Sequence, residues 1–152
     1  MNEELMLHDS ETLKHVNEVR ENLWLLIKEL DQRAQDHDKS KFEEPERSVF
    51  AQNTPKLSKT EYGTDDYNKL LEEVKPAIDH HYSKNTHHPE HWPNGIDDMD
   101  LLDIVEMLAD WAAATKRNKN GNIHKSIEHN TTRFGMSEQL AKILTNTVNR
   151  YF

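Results

Sequence analysis

The residues with the plainest capacity for chemistry are histidines and carboxylates. Ten of the 152 residues are histidine, and five of these fall between His80 and His91. With cysteine absent, imidazole and carboxylate are the groups left to hold a transition metal. His37-Asp38 offers both types side by side, and adjacent side chains can chelate one ion. The same dipeptide also suits a polar helix terminus. Lys41, three residues on, is near enough to contact a phosphate bound there.

The run DHHYSKNTHHPEHW is the densest local signal. His80 and His87, like His81 and His88, are seven apart, which is two helical turns where the helix persists. Pro89 marks a break, beyond which a loop can still fold histidines back onto one centre. A metal site is the leading reading and a pH-sensing cluster the alternative. Downstream, Asp103, Glu106 and Asp110 lie within about 60° of one another on a helical wheel, among Leu101, Leu102, Ile104, Val105, Leu108 and Ala112. A carboxylate inside so apolar a helix must be paired or metal-bound. Asp110 is the candidate ligand, with an ion pair to Lys116 or Arg117 as the competing reading. Asp103 and Glu106 read as partners that orient a histidine. His15, one turn before Val19, is able to face inward, but lone histidines are more often packing residues.

The elements that must carry these groups read as helices. Ser10 can cap a first helix from about 10 to 35, with Leu13, Val16, Leu23, Ile27 and Leu30 at helical spacing. The polar stretch KSKFEEPERSVFAQNTPKLSKTEYGTDD reads as loop with a short helix around Glu46 to Gln52. Asp65 or Asp66 opens a third helix toward His81, with Pro76 inside it. Asp97 or Asp98 opens the next, DMDLLDIVEMLADWAAATKRN, ending near Asn120-Gly121. Helices from about Asn122 to Phe134 and from Ser137 to Tyr151 complete an all-α reading.

Composition sets the bounds. The length fits a single domain spanning 1–152. A hydrophobic fraction of 34% beside 31% charged residues suits amphipathic helices, and four Gly with five Pro are too few turns for a many-stranded sheet. The formal charge of −9 opposes nonspecific binding of a nucleic-acid polymer. The N-terminal MNEELMLHDSE lacks the apolar core of a signal peptide, and no apolar run is long enough for a membrane span. A soluble cytoplasmic domain is expected.

In this order the motifs resemble the HD-domain superfamily of metal-dependent phosphohydrolases: His15, then His37-Asp38, then the His80 to His88 cluster, then Asp110. HHPEHWPNGIDDMDLLDIVEMLADWAAAT is also similar to the HD-GYP subgroup, with Trp92-Pro93-Asn94-Gly95 where that subgroup has Gly-Tyr-Pro. Taken whole, the chain resembles an HD-like family common in bacteriophages and bacteria through HHYSKNTHHPEHW, EMLADWAAAT and KSIEHNTTRFGMSEQL.

The resemblance implies a bundle of about five to six helices in the cytoplasm of a bacterial or phage-infected cell. It implies one or two divalent ions (Mn, Fe, Co, Ni or Zn), held by His15, His37, Asp38 and Asp110, with His81, His87 and His88 around a second and Asp38 bridging. It further implies hydrolysis of a nucleotide or other small phosphate ester. Lys41, Arg117, Lys125 and Arg133 would contact that substrate. Asp38 and Lys41 would stand at the reaction centre, and Glu90 or His91 would carry a proton to the leaving group. The alternatives are an HD-like di-iron oxygenase and a metal-stabilised interaction protein without turnover. The oligomeric state, monomer or homodimer, is open.

Overall fold

A computed structural model describes residues 3–57, 59, 64–117 and 120–152, with the backbone alone for Leu57 and Tyr67. The described residues are all-α, with six α-helices, three short 3-10 turns and no strand. The chain forms two units, Met1–Asp36 and His37–Phe152.

The first unit is one helix, α1, over Glu3–Asp36. It starts earlier than the Ser10 signal indicates, because Glu3 and Glu4 stand in its first turn and favour its positive end. Pairs such as Lys14–Glu11 and Arg33–Glu29 brace its polar surface. None of its residues is buried, and Leu13, Val16, Val19, Leu23 and Ile27 are all exposed.

The second unit carries the remaining helices. A 3-10 turn over Lys39–Phe42 leads into α2 (Glu46–Leu57). That helix runs five residues past Gln52, and residues 58 and 60–63 of the polar stretch lie outside the described residues. α3 (Asp65–Lys84) is continuous through Pro76. It packs on α2, and its Val74 and Ala77 are buried. Turns over Pro89–His91 and Gly95–Asp98 then lead to α4 (Leu101–Lys116).

α4 begins later than Asp97 or Asp98. Asp98 is used instead by Asn94, while Asp100 caps the helix by accepting from the Leu102 and Asp103 amides. Asp103 returns the contact by accepting from the Asp100 N–H, which completes a capping box. The helix closes at Arg117, short of Asn120-Gly121, with residues 118 and 119 outside the described set.

α5 (Ile123–Phe134) and α6 (Glu138–Tyr151) start where expected, capped by the Asn122 and Ser137 side chains. Gly135 ends α5 in the left-handed region at φ 61, where a side chain would be strained. Leu108, Ile127, Met136, Leu144 and Val148 form the apolar core between α4, α5 and α6. Trp111 and Phe134 stack against it, 6.3 Å between centroids. No helix of the described residues is long and apolar enough to cross a membrane.

Candidate metal centre

Opposite that apolar core, α4 turns Glu106 and Asp110 toward the residues just after α1, the C-terminal end of α3 and the loop behind it. His37 is half-buried, and its two ring nitrogens face different carboxylates. Nδ1 lies 2.9 Å from Glu106 Oε1, and Nε2 lies 3.8 Å from Asp110 Oδ1 and 3.6 Å from Asp38 Oδ2. His87 is 2% exposed, and its Nδ1 meets the same Glu106 oxygen at 3.1 Å. His81, 4% exposed, has Nδ1 2.9 Å from Glu46 Oε2. Its Nε2 faces His88 Nε2 at 2.9 Å and Asp38 Oδ1 at 3.2 Å. The rings crowd together: His37–His87, His87–His88 and His81–His88 centroids are 4.6, 4.2 and 4.8 Å apart.

Asp38 stands at the middle. Its backbone is left-handed, at φ 56, a conformation that costs a non-glycine residue about 1 kcal/mol or more. Such strain persists where surrounding structure enforces it, and here it accompanies a carboxylate aimed into the cluster. Three groups of donor atoms, each with all its atoms within 4.8 Å of one another, are capable of holding an ion. They are Asp38 with His81, His87 and His88; His37 with Asp38 and Asp110; and His37 with His87 and Glu106.

The donors fit a metal by two tests. Bonds of about 2.1 Å place neighbouring donors roughly 3.0–3.4 Å apart in octahedral or tetrahedral geometry, against 2.9–3.8 Å for the inward-facing pairs here. Asp38 Oδ1 and His87 Nε2, 3.8 Å apart, are also buried with no hydrogen-bond partner among the described residues. Buried polar atoms are normally satisfied, and a cation is one partner that could satisfy both of these. Three histidines of those groups, His37, His81 and His87, moreover have Nδ1 against a glutamate, the outer arrangement that leaves Nε2 as the ligand atom.

The electrostatics agree. Asp110 and Glu106 hold the metal-free His37 up to about 10, against burial. Burial pushes Asp38 upward, yet the neighbouring His81 and the Lys41 hydrogen bond and charge leave it well below the usual carboxylate range. Burial likewise opposes Glu106, which His37 and His87 bring down to about 2. Burial and the neighbouring His87 and His81 lower His88 to about 3, so it is neutral at pH 7.

A pH dependence follows. The raised His37 value stabilises the metal-free fold below about pH 6.5, its ordinary value, and this contribution is lost as pH rises through about 10. An ion bound at Nε2 must displace the proton. Apparent metal affinity should therefore rise about tenfold per pH unit between pH 7 and 9, with about one proton released. Titration calorimetry in buffers of different ionisation enthalpy reads this directly, and a pH-independent affinity would contradict it.

The remaining expected residues divide clearly. Lys41 pairs with Asp38 and, with Arg117, lines a cavity of about 440 Å³ that also touches Phe50, Tyr82, His81 and His88. Arg133 binds Glu90 and lies over the Phe134 ring, 4.7 Å from its centroid. Lys125 is exposed on α5 and is not among the residues lining that cavity. His15 is exposed on α1, whereas every residue of the three donor groups belongs to the second unit. His91 donates through Nδ1 to the Tyr82 carbonyl oxygen, at 2.8 Å. Of the two carboxylates expected to orient histidines, Glu106 lies in that position. Asp103 instead bonds Thr86 and the Asp100 amide.

Glu46 is the residue of this cluster that the sequence does not announce. Standing after Pro45 in the first turn of α2, it reads as an ordinary charge at a helix N-terminus. It is in fact fully buried beneath His80 and His81.

The family model described as "Family of unknown function (DUF5662)" matches residues 5–150, so the chain belongs to that family. No curated protein shows significant similarity to it, and neither does any solved structure.

Proposed function

We propose that this member of the DUF5662 family is a metal-dependent phosphohydrolase of the HD type, acting on a nucleotide or another small phosphate ester. One observation carries the reading: two donor groups that share Asp38 stand beside a cavity holding two cationic side chains, Lys41 and Arg117. His37, Asp38 and Asp110 would hold one divalent ion, and Asp38, His81, His87 and His88 a second, drawn from Mn, Fe, Co, Ni or Zn. When bound, such an ion supplies an acidified water and positive charge for a phosphoryl oxygen.

The chain's own residues do the rest. Lys41 and Arg117 bind and orient the phosphate, where preorganised charge is usually the largest catalytic contribution. Phe50 and Tyr82 offer ring surface to the organic part of the substrate. Glu90, its carboxylate held by Arg133, would take the proton released by the attacking water and pass it to the leaving group. Tyr82 connects this pair to the centre: it meets His88 at 4.9 Å between centroids, and burial and the Glu90 charge raise its pKa.

The test is a panel of nucleotides and simple phosphate esters, scored for phosphate release in each of the five metals. Turnover of at least one ester, lost on chelation, is the expected result. Bound metal without any turnover would favour an interaction protein and overturn the enzymatic reading.

A further inference from the structure

We propose that Glu46, which lies outside the ligand set, is the positioning residue that divides the histidine cluster: its one carboxylate fixes His81 as a ligand through Nε2 and keeps the adjacent His80 out. The inference rests on the metal-centre reading above. His80 and His81 are neighbours on α3, so their side chains leave the helix about 100° apart and cannot both enter one centre. The Glu46 carboxylate fills the wedge between them. Oε1 is 2.7 Å from His80 Nδ1, and Oε2 is 2.9 Å from His81 Nδ1. Glu46 is 0% exposed, and a charge so buried has to be matched by partners.

An ionised carboxylate only accepts, so both Nδ1 atoms must carry hydrogen. In a neutral His81 this leaves the lone pair on Nε2, the atom that faces His88 and Asp38. The Asn85 amide and the Ser40 hydroxyl also approach His81 Nδ1, at 3.0 and 3.3 Å. Neither needs to donate there. The amide has acceptors in Ser40 Oγ and the His81 carbonyl, at 2.9 and 2.7 Å, and Ser40 itself bonds Glu46. His80, by contrast, remains about one-third exposed, with its side chain tied to Glu46.

Glu46→Gln tests this with little change of shape. An amide offers one acceptor oxygen in place of two and sets its NH2 against the other ring, so it cannot hold both Nδ1 protons. Metal-free protein is read by nitrogen NMR of the histidine rings. His81 should be the Nδ1–H tautomer in the wild type and should lose that preference in Glu46→Gln. With Zn²⁺ or Mn²⁺ alone, affinity measured by chelator competition should fall about 10–100-fold. His80→Phe, which spares the ligand set, should keep the affinity within about threefold and keep the metal stoichiometry.

An Nε2–H tautomer of His81 in the wild type would overturn the inference. So would an affinity unchanged in Glu46→Gln, or lost in His80→Phe. Failure of the wild type to bind either ion would instead sink the metal-centre reading, while the tautomer of the metal-free protein would still decide the role of Glu46.

Discussion

Replacing Asp38 with alanine should abolish phosphate release and strip the centre of tightly bound metal. The two carboxylate oxygens serve different partners: Oδ1 lies toward His81 and His87, and Oδ2 toward His37 and Lys41. Deleting the group therefore withdraws a donor from both of the groups that contain it. Outer-sphere carboxylates already carry about 10–100-fold in metal affinity, so loss of a shared ligand should exceed about 100-fold. Removing one preorganised charge from a reaction centre lowers turnover by about 100–1,000-fold, and Lys41 loses its anchor as well. Asp38→Asn keeps the volume and serves as the control for folding. Retained metal and retained phosphate release in Asp38→Ala would contradict the account.

Chelation should destabilise the protein on a scale that calorimetry sees easily. Without an ion, Asp38 Oδ1 and His87 Nε2 stay buried and unsatisfied, and each such atom costs about 1–3 kcal/mol. An ion present at a thousandfold above its dissociation constant stabilises the folded state by about 4 kcal/mol. For a unit the size of His37–Phe152, each kcal/mol moves the midpoint by about 3–4 °C, so Zn²⁺ or Mn²⁺ should raise Tm by roughly 12–16 °C. Scanning calorimetry of metal-stripped and reloaded protein checks this. Coincident transitions would mean that the cluster satisfies itself by other contacts.

The helices were legible because their signals are local. Asn122 and Ser137 cap α5 and α6 by hydrogen bonds to residues two or three positions on, and such spacing is written in the chain. α4 is capped by Asp100 and not by Asp97 or Asp98, although three aspartates compete there. Only the turn over Gly95–Asp98, in which Asp98 bonds Asn94, leaves Asp100 as the cap. Asp110 was legible for a different reason: a carboxylate in an apolar helix needs a partner wherever the helix packs.

What the sequence could not divide was the histidine cluster. His80 and His81 are identical in type and adjacent, and the difference between a 30% and a 5% exposed side chain comes from Glu46, thirty-four and thirty-five positions away. The partners of Asp103 were missed similarly, since a capping box and an orienting carboxylate look alike until the helix start is known. Glu46 itself lies in a polar stretch without apolar periodicity, so nothing local indicates that it turns inward.

Convergence of Asp38, the histidines and Asp110 on a metal is the proposal on which the others rest. Elemental analysis of the wild-type protein, purified without chelator and then titrated with Mn²⁺, Fe²⁺, Co²⁺, Ni²⁺ and Zn²⁺, tests it most directly. The account predicts one or two equivalents of a transition metal per chain, lost in Asp38→Ala. A folded protein that is isolated metal-free and takes up none of the five ions would contradict it.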